Sequence, residues 1–188
     1  ANTISGGNEA NFEALVTHET NGLFDITNEN LTVGNGTNQS ISVANAKNLA
    51  AKTSGTVTSA IDTTESVDSL KTLYDTSETN AYTIVITGDA ADASLSTAAE
   101  FNTIDNATSV AINANSVTAL ASSDISDINT LLTAGNDTDK FTETSFAGLT
   151  AVVVADTTLD VANFVGSITQ ANTATGKSTL AAGATIFN

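Results

Sequence analysis

The chain contains no cysteine, no proline, no methionine and no tryptophan, and its five basic residues are all lysine. Each gap removes a possibility. Without cysteine there is no disulfide, no thiol chemistry and no sulfur ligand for a metal. A chain without methionine that begins at Ala1 is expected to be a processed product, cut after a small residue by a signal peptidase or excised from something longer. Lysines 47, 52, 71, 140 and 177 face 21 acidic residues, for a formal net charge of −16. Such a surface repels phosphate polymers, so no nucleic-acid partner is expected. Anionic membrane surfaces are disfavoured for the same reason, and no apolar run approaches the ~20 residues of a membrane span, so no membrane insertion is expected. Aromatics make up 5% of the chain, with Tyr74 and Tyr82 the only tyrosines. Carbohydrate-cleaving sites built on stacking aromatics are disfavoured accordingly.

What is present is Ala, Val, Ile and Leu within a 40% hydrophobic content, set in a background of Thr, Ser, Asn and Asp. With 188 residues, this supports a real core, and an Ala-rich interior suits thin layers packed closely together. The acidic, hydroxyl-rich exterior suits a salty medium and divalent cations. The expected location is extracellular or at a cell surface.

Short β-branched runs recur, each followed by a turn and a helix-period segment. They are "TVTSAID" at 56–62, "AYTIVITGD" at 81–89, "TSVAINAN" at 108–115 and "TAVVVADTT" at 150–158, with an earlier copy in "SISVANAKNLAAKTSG" at 40–55. Helical stripes follow them: Val67, Leu70, Leu73 and Tyr74, opened by Thr64 or Glu65; Ile125, Ile128, Leu131 and Leu132, capped by Ser122 or Ser123, with Asp124 in the first turn and Gly135 at the end; and Leu159, Val161, Phe164, Val165 and Ile168. "DKFTETSFAG" at 139–148 reads as an extra strand or an insertion. Strand–helix alternation at a spacing of roughly 25–30 residues points to parallel strands and to a repeat architecture. The expected fold class is α/β, with irregular solenoid-like strand–helix units and a β-rich N-terminal segment. Residues 1–10 read as an extended arm, 11–39 as a β-hairpin-like segment with Asn-Gly and Gly-Asn turns, and 40–188 as the β-α repeat domain.

The stretch "SVANAKNLAAKTSGTVTSAIDTTESVDSLKTLYDTSETNAYTIVITG" resembles the Thr/Ala/Ser-rich repeat modules of very large secreted bacterial surface proteins, notably those of marine cyanobacteria. The likeness covers roughly residues 40–135, and more weakly 149–187. It implies a cell-surface, S-layer or fibre role and brings no catalytic residue with it. The β-rich N-terminal part departs from those modules and is expected to be an assembly element.

Few constellations carry chemistry. "GKST" contains the Gly176, Lys177 and Ser178 of a phosphate loop, but the first glycine of that motif falls at Ala171 and the segment before it reads as a helix. A helix C-cap is the better reading. His18 is the only histidine, and it reads as a surface residue on a strand. The acidic pairs are the most credible sites. "GNDTDKF" at 135–141 places Asn136, Asp137 and Asp139 as a candidate calcium set, with Asp89 and Asp92, and Asp124 and Asp127, as lesser candidates. N-x-[ST] sequons fall at Asn30, Asn35, Asn38, Asn106 and Asn136.

Together these features predict a structural subunit, not an enzyme. It is expected to belong to an extracellular filament, surface layer or sheath, and to associate with itself by strand addition or end-to-end stacking, with calcium as the possible ion. A phage or virion fibre or decoration protein is the alternative, as is an adhesin module binding cell-surface glycans.

Overall fold

The structure is a computed structural model that describes residues 2–34, 39–74, 80–87, 96–143, 145–149, 151–153, 155 and 185–187. It is a mixed α/β arrangement. The chain runs β1 (Thr3–Gly7), α1 (Glu9–Thr20), β2 (Asn30–Val33), β3 (Ser40–Ile41), α2 (Val43–Ala50), β4 (Val57–Ile61), α3 (Val67–Leu70) with a 3₁₀ turn (Lys71–Leu73), β5 (Ala81–Thr83), α4 (Ala98–Asp105), α5 (Ile125–Gly135), β6 (Ala151–Val153) and β7 (Thr185–Phe187).

The first five strands form one parallel sheet, and β6 and β7 form a separate parallel pair. Thr3 lies opposite Asn30, Leu31 opposite Val57, and Thr58 opposite Ala81. Thr58 pairs with both Thr32 and Ala81, and Ala60 with both Ser40 and Thr83. A strand residue has only two lateral neighbours, so β2 and β3 lie in tandem along one side of β4 and β5 along the other. Parallel bridges then join Val85 to Asn113 and Ile112 to Phe141. Each step pairs segments roughly 20–30 residues apart, in chain order.

Alternation along the strands sets the faces. Leu31, Val33, Val57, Ile61, Tyr82, Ile84 and Ile86 are buried, whereas Ser5, Thr58 and Thr83 between the inward positions are exposed. The helices cover the inward face as a row: α1 packs on α2, α2 on the 3₁₀ turn, α3 and that turn on α4, and α4 on α5. Their buried residues recur at helical spacing, with Val43, Ala46 and Leu49 in α2 and Ile125, Ile128, Leu131 and Leu132 in α5. At the far end Phe146, with a positive φ of 61°, packs edge-on against Phe101 and Phe141 at centroid distances of 5.5 and 4.9 Å.

Where the turn chemistry of residues 11–39 suggests a hairpin, the structure has a helix. Phe12, Leu15 and Val16 fall at i, i+3 and i+4, and the apolar face of α1 is built from them. Asn8 and Asn11 close a reciprocal capping box. The Asn21-Gly22 pair is the helix stop: Gly22 takes φ 72° and its N–H donates to Glu19 O at 2.8 Å. β2 therefore returns parallel to β1, and the N-terminal part is strand–helix–strand, not β-rich. Residues 3–7 are extended as expected, but they form a sheet strand instead of a free arm.

Smaller differences follow from the same packing. The stripe of α3 stops at Leu73, and Tyr74 is extended and 45% exposed. The N-cap positions are Ser66 and Asp124, one or two residues after Thr64 or Glu65 and Ser122 or Ser123. "DKFTETSFAG" contributes the bridging Phe141. Near the C-terminal end of the sequence Thr185–Phe187 form β7, whereas the stripe at 159–168 lies outside the described residues.

Candidate functional site

The parallel stack has an end at β1. That strand pairs with β2 alone among the described strands, so one row of its backbone groups faces outward. Beside it lies a cleft of about 400 Å³ floored by Ile4, Phe12 and Leu15. Among the described residues, Ile4, Leu15 and Val16 pack on the core yet stay half-buried. Gly7 allows the close fit of strand and helix here: a Cβ on it would sit 3.0 Å from both Asn11 Cβ and the Phe12 ring.

Polar side chains fasten this end to the rest. Glu9 Oε1 accepts from Ser42 N (3.0 Å), Ser42 Oγ (3.2 Å) and Asn45 Nδ2 (2.7 Å), and Glu13 Oε1 accepts a second bond from Asn45 Nδ2 at 2.8 Å. The Asn45 amide and then the Ser42 N–H hold the Glu9 carboxyl below its ordinary value. These groups rim a cleft of about 250 Å³ between α1 and α2, with Phe12, Ile41 and Leu49 at its base.

The same device recurs along the row, and the sequence reading did not find it. The N–H of Val43, first residue of α2, donates to Glu65 Oε1 of the next unit at 2.7 Å. The N–H of Ala98, first residue of α4, donates to Ser123 Oγ at 2.9 Å. Strand starts are treated alike: Thr56 N donates to Asn30 Oδ1 (2.9 Å), Val57 N to Asn80 Oδ1 (2.8 Å) and Tyr82 N to Thr108 Oγ1 (2.9 Å). Ion pairs add Lys52–Glu19 (2.9 Å), Lys71–Glu100 (2.6 Å) and Lys140–Asp105 (2.6 Å), each between successive units. Burial alone raises the Glu100 carboxyl, but the bonds from Lys71 and Thr97 N outweigh it and hold the group below its ordinary value.

The candidate calcium residues lie at the exit of α5. Asn136 is its C-cap, with Nδ2 donating to Leu132 O at 2.9 Å. Asp137 Oδ1 accepts from Asp139 N at 3.0 Å, and Asp137 O accepts from the N–H groups of Lys140 and Phe141. This is a turn closed by its own aspartate. Among the described residues, no group of three or more His, Asp or Glu side chains is placed to hold a metal ion. Asp124 stands at the N-cap position of α5, without a side-chain capping bond, and Asp127 occupies its first turn, where the helix dipole favours an acid.

His18 sits in the last turn of α1, not on a strand, and its ring meets Phe24 edge-on at 6.1 Å. Of the sequons, Asn30 is committed to Thr56 N, and Asn106 caps α4. Asp89, Asp92, Asn35, Asn38 and the Gly176–Ser178 loop lie outside the described residues. Among the described residues, no helix is long and apolar enough to cross a membrane. The chain matches no protein-family model, no curated protein and no solved structure.

Proposed function

We propose that this chain is a structural subunit that associates with itself, end to end or by strand addition, in an extracellular filament, surface layer or sheath. The observation that carries the reading is the end of the described sheet: among the described strands β1 pairs with β2 alone, flanked by the half-buried Ile4, Leu15 and Val16. An open strand edge beside apolar surface is a template for another strand.

The finer architecture in this proposal is a short, irregular solenoid. Its support is the chain-order pairing at roughly 20–30 residues per step, and the side chains that cap backbone groups of the neighbouring unit. Units of this kind bury their faces only against neighbours, so a terminal unit without a polar cap favours stacking. In this reading the chain performs no catalysis. The acidic surface makes calcium the ion to supply, with Asn136, Asp137 and Asp139 as the proposed ligands, carried by composition and spacing.

Electron microscopy and sedimentation of the purified chain at rising concentration, with calcium and with chelator, test the proposal. Polymers or oligomers are expected. A monomer under every condition contradicts the assembly, and a melting temperature indifferent to calcium contradicts the ion.

A further inference from the structure

The cleft of about 250 Å³ between α1 and α2 joins two chemistries. Its base is apolar: Phe12 and Val16 come from α1, Ile41 from the end of β3 and Leu49 from α2. Phe12, Ile41 and Leu49 belong to the core, so the packing beneath fixes this floor. Its rim is acidic. Glu9 and Glu13 stand one helical turn apart on α1, with Asn45 and Asn48 across from them on α2.

The two carboxylates are held in place and left without a counter-charge. Asn45 Nδ2 donates to Glu9 Oε1 at 2.7 Å and to Glu13 Oε1 at 2.8 Å, tying both acids to one amide. Ser42 N and Ser42 Oγ donate to the same Glu9 oxygen. The second oxygen of each carboxylate, Oε2, accepts no bond among the described residues. The ion pairs of the described residues use Glu19, Asp68, Glu100 and Asp105 instead. Of the two lysines nearest this wall, Lys52 is taken by Glu19, and Lys47 does not line the cleft. Fixed negative charge beside an apolar floor complements a molecule divided in the same way, with a cationic head and an aliphatic body. The head gains charge-assisted hydrogen bonds, and the body gains by leaving water.

We propose that the cleft between α1 and α2 binds a small linear alkylammonium, with its ammonium group at the Glu9 and Glu13 carboxylates and its chain over Phe12, Val16 and Leu49. The site goes beyond self-association and does not depend on it. So small a ligand binds with a dissociation constant of about a millimolar, and added salt loosens it by screening the charges.

The test is ligand-observed NMR of the full chain with pentylammonium chloride, with pentanol, pentanoate and ammonium chloride as controls, repeated on Glu13→Gln and Asn48→Lys. Glu13 and Asn48 are exposed, and the glutamine keeps an oxygen for Asn45, so both variants are expected to melt as the wild type does. Pentylammonium is expected to saturate the wild type, about fivefold or more tighter than pentanol, and pentanoate is expected not to bind. Glu13→Gln is expected to weaken pentylammonium about fivefold and leave pentanol unchanged. Asn48→Lys sets a tethered cation on the rim and is expected to weaken it as well. Absence of saturation, equal affinity for pentanol, or variants that bind pentylammonium as the wild type does overturn the site. Ammonium chloride competing as well as pentylammonium also overturns it, because general attraction to a chain of net charge −16 then accounts for the binding. The readout is the same for monomer and polymer, so these outcomes are separate from the fate of the assembly reading.

Discussion

Three of the described lysines reach from one strand–helix unit to the next, and in so acidic a chain each neutralises a carboxylate at a junction. Lys140 pairs with the most buried of these carboxylates: the side chain of Asp105 is 9% exposed and that of Lys140 43%. Replacing Lys140 with Ala strands a buried carboxylate, and we expect a loss of about 1–3 kcal/mol in urea unfolding; stability equal to wild type contradicts that role. Gly55 is constrained by sterics instead. A Cβ on it would overlap the Glu29 carbonyl, coming within 2.6 Å of its carbon. Backbone cannot give way as a flexible side chain does, so Gly55→Ala is expected to cost about 1–3 kcal/mol. An Ala variant with an unchanged melting temperature would place this contact elsewhere. Glu9 and Glu100 set an acid limit. Both are held below the ordinary 4.5 in the folded chain, so the stability they contribute is complete above that value and is lost as pH falls through their lowered values. Urea titrations from pH 6 to 3 are expected to show this decline, with Glu9→Gln making it shallower.

At the scale of elements, the helices are joined by borrowed caps. Ser123 accepts from Ala98 N of the neighbouring helix, so Ser123→Ala removes a cap from α4 while sitting next to α5. A loss of about 0.5–2 kcal/mol is expected, with slowed hydrogen exchange lost at the start of α4. Loss at α5 alone contradicts the borrowed cap. The sequence carried a signal for this device without revealing its geometry. Polar residues stand in pairs before helices, as Glu65-Ser66 and Ser123-Asp124; Glu65 and Ser123 serve a neighbouring helix, while Ser66 caps its own and Asp124 stands at the N-cap position. Local pattern shows only the role at a residue's own helix. Periodicity made α3 and α5 legible, and the β-branched runs made the strands at 57–61 and 81–83 legible, because their apolar residues are buried at regular spacing. It failed at α1, an end helix with Phe12 as its single buried residue, where the pattern is thin and Asn-Gly turn chemistry dominated the reading. The carboxylates of the proposed calcium turn were legible as a spacing, but their hydrogen bonds within the turn were not.

For the whole molecule, the parallel sheet, the row of helices and the acids gathered at helix starts follow from one arrangement: every unit points the same way. Parallel helices align their positive ends along one edge, and acids there are favoured by the helix dipoles. The connections along the opposite edge carry Leu23 and Phe24, and β1 closes the stack with an edge that no described strand covers. In the proposed assembly, another unit meets that end. Truncation therefore gives a sharp expectation. Removing residues 1–7 takes away β1 and shifts the open edge to β2, so the remaining sheet stays folded but assembles in a different register and more weakly. The most direct measurement is the mass distribution of the intact chain by sedimentation as concentration rises, with electron microscopy of the same samples. The account predicts oligomers growing into ordered polymers that the truncation weakens; a single 19.0 kDa species at every concentration contradicts it.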